Sequence, residues 1–409
     1  MGMNFETEDG TGRRAFLARG LLAGAALSLA RTPDGQPLDP ARPPRVRHAA
    51  RVPPTMLNLA AFGGLPGAGR AALADAFDRA LAALTRKGGG TLLVPPGVYD
   101  VGRLDGPDTL FVCRGLRDIA ISAYGATFVA TTTTTCVPNM FYFYNFDNVT
   151  LAGASFTDHG FVPWVDWRGM YCVGIQADRP SSGFHLVDCF AERVVGLLAS
   201  NNAAAGRQWL SDIHVEGEVR EAYYGVGANY VARNVDVDLD CHNVRRAFIA
   251  YAARHADITV RASADSGWPG SNGLIALVCA GASLGNVENV RVRVDVSGSC
   301  IHGSYVHFYH QGPQPDGVIR DVDATVNLSG MHAMRCMYLF DHETDGVQRT
   351  TGRRWDRIVL HGSMAADCDG TVVASTSRST APGTVFVDRA LARSARLDRL
   401  AAGFRLQPS

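Results

Sequence analysis

The sequence predicts an all-β solenoid, a right-handed parallel β-helix with an N-terminal capping α-helix. Three observations lead there. A short amphipathic helix is followed at once by brief strands joined by tight turns. A strand motif then recurs at uneven intervals of roughly 22 to 36 residues, the range of stacked repeat units. A second, more apolar strand lies between successive copies of the first.

The bulk properties agree with a folded chain. Of 409 residues, 46% are apolar and 19% charged, and the formal net charge is zero. That composition is globular, the length allows a large core, and the charge balance leaves no basic footprint for nucleic acid. Lys87 is the only lysine, which disfavours a lysine base in any catalytic reading. Nine cysteines are scattered without metal-type C-x-x-C spacing. An odd count cannot pair completely within one chain, so they read as small core residues.

The chain opens with "GRRAFLARGLLAGAALSLA". Paired arginines at Arg13 and Arg14, then Phe16-Leu17, a short apolar run and a small-residue site at Ser28-Leu29-Ala30 resemble a twin-arginine export signal. Gly12 before the pair and the lack of a following lysine depart from the usual form. The apolar run is too short to span a bilayer comfortably, so no stable membrane insertion is expected after cleavage, and the location implied is periplasmic or secreted. The expected organisation is a signal over 1–30, a Pro- and Arg-rich flexible spacer over 31–52, a β-helix with its cap over 53–384, and a C-terminal cap or tail over 385–409. The last segment should hold a short strand followed by a helix.

In "AALADAFDRALAALTRK", Leu73, Phe77, Ala80, Leu81 and Leu84 recur at helical spacing. Gly88-Gly89-Gly90 stops the helix. "TLLVP" is then a buried strand, "PPG" a turn and "VYDV" a strand at a new angle, while "MLNLAAFGG" upstream is a short strand with a glycine turn. A helix in this place covers the open end of a coil, where unpaired strand edges and apolar interior would meet water. The segments "LNLAAFGG", "AFDRALAAL" and "GGGTLLVPPGVYDV" resemble the opening of the pectate-lyase-like superfamily of β-helix proteins, which includes tailspike-like proteins and polysaccharide lyases. The resemblance covers about fifty residues and implies a fold more than a reaction. Where that family often carries an acidic Gly-Asp-Gly segment, this chain reads "GLPGAGRAALAD".

Further along, "RDIAISAYGATF", "DNVTLAGASF", "SDIHVEGEV", "RNVDVDLDC", "ADITVRASA", "ENVRVRVDVSG", "RDVDATVNLSG" and "DRIVLHGSM" share one pattern. A polar pair or an Asn/Asp leads into an alternating strand, with Ile, Val and Leu on one face. A β-sandwich would need hairpin turns, and few Asn-Gly or Asp-Gly pairs separate these runs.

The second strands read "VVGLLASNN", "YYGVGANYV", "AFIAYAARH", "GLIALVCAG", "SYVHFYHQG" and "MYLFDHETD". Stacked in register, they form one parallel sheet with rungs about 4.8 Å apart. Their polar residues then line one groove suited to an extended polymer. Asn229, Tyr251 and Arg254 are candidates to touch it. Three clusters stand out as chemistry: His242, Arg245 and Arg246 in "CHNVRRAF"; His302, Tyr305, His307, Tyr309 and His310 in "HGSYVHFYHQG"; and Asp341, His342, Glu343 and Asp345 in "LFDHETD". A fourth stretch, "FTDHGFVPWVDWRGMY", reads as a loop beside the groove, with Asp158, Trp164, Asp166, Trp167 and Arg168 as substrate contacts.

Two reactions suit such a groove. A uronate lyase needs a cation near the substrate carboxylate and a base for the adjacent proton. Arg245 or Arg246 can supply the first, and His307 with Tyr309 or His310 the second. Asp341 or Glu343 would then orient the histidine, and His342 would contact substrate. A glycoside hydrolase or transglycosylase would instead use carboxylates such as Asp341, Glu343 and Asp158. Neither a cofactor nor a metal site is marked; Ca2+ is compatible with a lyase, but no compact Asp/Glu cluster fixes it. A third reading is a non-catalytic carbohydrate-binding or surface protein of the same fold. The expected partner is a polysaccharide or oligosaccharide, with the chain a monomer or a homotrimer.

Overall fold

A computed structural model describes residues 55–105, 109–134, 137–163, 168–200, 210–228, 232–264, 272–279, 285–298, 300–310, 316–330, 332–342, 352–364, 369–375, 383–389, 391 and 404–408. The export signal and spacer therefore lie outside the described residues, as does most of the expected C-terminal helix. All described residues belong to one compact unit, Val52–Ser409. It is a right-handed parallel β-helix.

Every strand pairing is parallel, and the strands sort into three ladders. Ladder A begins Met56–Asn58, Gly90–Leu93, Arg117–Ser122, Asp147–Ala152. Ladder B begins Gly97–Arg103, Ala126–Thr131, Ser155–Asp158. Ladder C begins Thr109–Arg114, Asn139–Tyr144, Tyr171–Gln176. The next three coils, Ser181–Ser200, Leu210–Ala228 and Ala232–Tyr251, run through all three ladders as single bent strands. Beyond them, Arg254–Ala264, Val287–Gly298, Asp316–Leu328 and Gly352–Met364 carry ladders A and B together. Asn272–Cys279, Cys300–His310, His332–His342 and Asp369–Ser375 continue ladder C. Gly383–Val387 and Phe404–Pro408 extend ladder A alone.

The interior is built from aligned rows. Leu92, Ile121, Leu151, Leu186, Val215, Val237, Ile258, Val292, Ala324 and Leu360 occupy one register position on successive coils, and all are buried. Fully burying an aliphatic side chain of this size is worth about 1.5–3 kcal/mol, so one row repeated along the coil is a large share of the stability. The described cysteines Cys113, Cys172, Cys189, Cys241, Cys279 and Cys336 are free and buried.

The polar pair before each ladder A strand has a backbone cause. Asp118, Asn148, Gly183, Asp212, Asn234, His255, Asn289, Asp321 and Arg357 stack at one corner, all in the left-handed region with φ between 48° and 71°. Asn, Asp and Gly tolerate that region best. Side chains then link neighbouring coils: Asn148 Nδ2 donates to Asp118 Oδ1 at 2.6 Å and Asn234 Nδ2 to Asp212 Oδ1 at 2.9 Å. At the last of these corners Arg357 grips Asp321 with two bonds of 2.5 and 2.7 Å.

Helix α1, Arg70–Arg86, closes the first coil. Its buried face presents Leu73, Ala76, Phe77, Ala80, Leu81 and Leu84. Phe77 is the plug: its ring lies 4.2 Å from that of Phe111 and 5.7 Å from that of Phe141, the leading aromatics of ladder C. Among the described residues no helix is long and apolar enough to cross a membrane.

Candidate active site

Ladder C does not alternate simply as it enters each coil. Two adjacent residues point outward before the alternation starts: Val195 and Gly196, Tyr223 and Tyr224, then Arg245 and Arg246. Val195 and Tyr223 pack in an apolar cluster outside the main core, together with Phe161. Arg245 follows in that column, its guanidinium 5.9 Å from the centre of the Tyr223 ring. Arg246 heads the neighbouring column, in register with Tyr224, Gly196 and Tyr171.

Glycine makes the second column possible. A Cβ on Gly196 would come within 2.7 Å of the Tyr171 ring and 3.1 Å of Tyr224 Cβ. Without it, the two tyrosine rings stack 6.5 Å apart with planes 21° from parallel. Burial pushes the Tyr171 hydroxyl pKa well up. Desolvation also lowers the Arg246 pKa, with Tyr224, Tyr251 and Tyr309 acting against that shift and Arg245 adding to it. Arg246 Nε donates to the Gly273 carbonyl at 3.3 Å.

Two and three coils further on, the same face carries His307 and Tyr309, then Asp341. Tyr309 and Asp341 are register partners on neighbouring strands. His307 stands two residues before Tyr309 on the same side, so it meets Asp341 diagonally: Nε2 lies 3.5 Å from Oδ2. The imidazole also stacks on Tyr309, with centroids 5.0 Å apart and planes 25° from parallel. His307 is 5% exposed, whereas the Asp341 side chain retains 21%. Tyr251 and Tyr309 flank an outward apolar cluster of Ile249, Ala276 and Val278. The arrangement is thus an imidazole beside a carboxylate and stacked on a phenol, within the electrostatic neighbourhood of a crowded arginine.

Other sequence candidates fall elsewhere. His310 has the opposite parity from His307, so it turns into the core, where it is fully buried 4.2 Å from the Trp355 ring. It is not a groove residue. Nor is Asp158: it is fully buried, and its Oδ1 accepts from the amides of Thr132 at 2.9 Å and Gly160 at 2.8 Å. The stretch expected to be one loop instead begins in the strand Ser155–Asp158 and ends in the strand Tyr171–Gln176. Arg254 belongs to ladder A, 4.0 Å from Glu288, which Arg320 also binds at 2.9 Å. Burial pushes the Glu288 carboxyl up, but Asn286, Arg254 and Arg320 outweigh it and hold the pKa low. His242 sits on ladder B, hydrogen-bonded to Ser263. Arg168 is half-buried. Trp164, Asp166, Trp167, Asn229 and Glu343, and the side chain of His342, lie outside the described residues.

The sequence reading missed the ladder B face, a groove of about 570 Å³ lined by charged, amide and hydroxyl side chains. It also missed Gly196 and Gly227. Their signal was present: "VVGLLAS" and "YYGVGANY" put glycine where a strand would show an outward side chain. Among the described residues no three His, Cys, Asp or Glu side chains converge as metal ligands do.

No family model matches the chain, and no curated protein matches it. Among solved structures it is similar to a hyperthermoactive exopolygalacturonase from Thermotoga maritima, at 11% identity and TM-score 0.38, over 83% of this chain and 93% of that one. It is similar to the A-module of mannuronan C-5 epimerase AlgE6 from Azotobacter vinelandii, at 13% identity and TM-score 0.35, over 86% and 97%. It is also similar to the surface protein and adhesin PfbA of Streptococcus pneumoniae, at 12% identity and TM-score 0.34, over 81% and 97%. At these values the fold rests on the chain's own parallel register.

Proposed function

We propose that the chain is an exported enzyme that cleaves an acidic polysaccharide by β-elimination on the outer face of ladder C. The observation that carries this reading is the His307–Asp341 pair, with Tyr309 stacked on the imidazole and Arg246 crowded among tyrosines on the same face. An arginine held in crowded surroundings is a ready partner for a uronate carboxylate, because charge-assisted bonds strengthen as water is excluded.

In the proposed step, Arg246 binds the carboxylate of the uronate ring. Neutral His307 takes the proton from the carbon next to that carboxylate, and the electron pair delocalises into an enolate-like intermediate facing the guanidinium. The bond to the glycosidic oxygen then breaks. The departing oxygen takes a proton from the Tyr309 hydroxyl, and the ring is left with a carbon–carbon double bond. Asp341 stabilises the imidazolium that forms and fixes the ring in place. Positioned acid–base groups of this kind contribute about 10²–10⁴-fold each.

The test is ultraviolet absorbance of unsaturated products on a panel of uronate polysaccharides, with wild type and His307→Ala compared after circular dichroism has verified the fold. Wild type should release unsaturated ends, and the variant should lose about 10²-fold or more. Full activity in a folded His307→Ala removes His307 from the reaction. Saturated products from wild type would assign a hydrolase instead.

Export by the twin-arginine route is part of the same proposal. Replacing Arg13 and Arg14 together by Lys should leave the protein in the cytoplasm, as cell fractionation would reveal. Unchanged export of that double variant refutes the route.

A further inference from the structure

The outer face of ladder B forms a second groove that the proposed reaction does not use. One column of side chains runs along it in register: Glu218, Asp240, Arg261, Asp295, Asn327 and Ser363. At about 4.8 Å per rung the column is about 24 Å long. A shorter column stands beside it, two residues further along each strand: His242, Ser263, Ser297 and Ser329, all lining the same groove. The floor between them is small or aliphatic, with Ala262, Val296 and Leu328.

We propose that this face binds a neutral, hydroxyl-rich glycan chain laid along the solenoid axis. The charges argue for neutrality. Arg261 lies 2.5 Å from both Asp238 and Asp240, Arg293 donates to Asp295 at 2.7 Å, and Arg220 to Glu218 at 2.6 Å. Among the described residues these arginines each lie against a carboxylate, so a polyanion would meet Glu218, Asp240 and Asp295 beside cations that are already paired.

The hydrogen-bonding capacity argues for a polyol. A carboxylate offers about four lone-pair sites and a hydroxyl both donates and accepts, so pairing with arginine leaves acceptors over. Asn327 Nδ2 donates to Asp295 Oδ1 at 2.7 Å, and Ser363 Oγ donates to Asn327 Oδ1 at 3.1 Å. This fixes the orientation of the amide, with a further donor hydrogen on Nδ2. Ser263, Ser297 and Ser329 add one hydroxyl per rung; Ser263 Oγ is bonded to His242 and Ser329 Oγ donates to the Val296 carbonyl at 3.1 Å, which leaves their lone pairs to accept. A pyranose unit is about as long as one rung spacing, so a glycan laid on this face meets a fresh set of donors and acceptors at each coil. None of the lining residues is aromatic, which sets the face apart from a protein-docking surface.

The experiment is isothermal titration of the folded chain with cellohexaose, xylohexaose and mannohexaose, and with hexagalacturonate as the charged control. Ser297→Trp puts an indole over the middle of the groove from an exposed position, and Asn327→Ala removes an amide without adding bulk. Wild type should bind at least one neutral hexasaccharide. Ser297→Trp should weaken that binding about tenfold or more, and Asn327→Ala about fivefold. Arg246→Ala, on the other face, should leave it unchanged, which separates this proposal from the lyase reading. Failure of all three neutral hexasaccharides to bind wild type overturns the proposal. So does unchanged affinity in both groove variants, or hexagalacturonate binding that Ser297→Trp abolishes.

Discussion

Ladders B and C rise from the same coils, yet their outer faces have opposite electrostatic character. On ladder B, arginines meet carboxylates one rung away, as Arg261 meets Asp240, or two residues along the same strand, as Arg293 meets Asp295, and the ions are matched in the open. On ladder C, Arg246 is surrounded by Tyr224, Tyr251 and Tyr309, and desolvation lowers its pKa. Exposed matched pairs contribute little to stability, about 0–1 kcal/mol each, and present a neutral surface. A cation crowded by phenols is the element that the proposed reaction uses to bind an anion. The local difference is one of neighbours: Arg261 has Asp240 beside it one coil away, whereas Arg246 has Tyr224.

The largest expected effect tests that contrast directly. Arg246→Ala should lower kcat/KM on an acidic polysaccharide by about 10²–10³-fold, the scale for losing a donor to a developing negative charge. Arg246→Lys should restore part of it, since a lysine keeps the charge and loses the planar fork. Arg245→Ala, which removes the arginine lying over Tyr223, should retain most activity. Equal losses for Arg245→Ala and Arg246→Ala would break the distinction between the two columns.

Asp158 sharpens the comparison between a carboxylate that serves a groove and one that serves the backbone. Its buried Oδ1 holds two amides, those of Thr132 and Gly160. Gly160 approaches Thr132 so closely that a Cβ would lie 1.8 Å from the Thr132 carbonyl oxygen. Asp158→Ala leaves both donors without that acceptor, and an unsatisfied buried group costs about 1–3 kcal/mol. The variant should lose about 2 kcal/mol in chemical denaturation, while the folded fraction keeps the KM of the proposed reaction. A raised KM with unchanged stability would return Asp158 to the substrate.

The fold was legible because its signal repeats. Each ladder A strand begins with a residue suited to a left-handed corner and continues with inward Ile, Val or Leu, so many weak segments reinforce one another. The capping helix was legible from Leu73, Phe77, Ala80, Leu81 and Leu84, and it extends only a residue or two beyond the expected span. The site was less legible because parity decides it. His307 and Tyr309 share a face, but His310, in the same "HFYH" run, faces the core. Arg245 and Arg246 both face out only because ladder C starts with two outward residues, which alternation does not predict. Asp158 looked like a loop residue because a two-amide acceptor and a substrate ligand have the same composition. The ladder B groove was hidden in the polar halves of the repeats, where each side chain alone reads as a solvated surface.

The smallest expected effect concerns ladder A and asks whether a histidine on this solenoid can act as a fixed cation. His214 Nδ1 lies 3.2 Å from Asp236 Oδ2 on the next coil, and Nε2 lies 3.5 Å from Glu216 Oε2 on its own strand. His185 on the preceding coil stands 6.0 Å away, ring to ring. Bonding to Asp236 first and Glu216 second raises the His214 pKa to about 9, against a smaller opposing effect of burial. The folded value lies above the unfolded one of about 6.5. The extra stability is therefore fully present below the unfolded value and lost as pH rises through about 9. Both carboxylates are well exposed, so solvent screening reduces the gain to the order of 1 kcal/mol. His214→Gln should be less stable than wild type by about that amount near pH 6, and the gap should close near pH 10, as denaturant titrations at the two pH values would show. A gap that stays constant between them would mean that His214 contributes by packing against His185, and the matched-ion description of the outer faces would then hold for arginine alone.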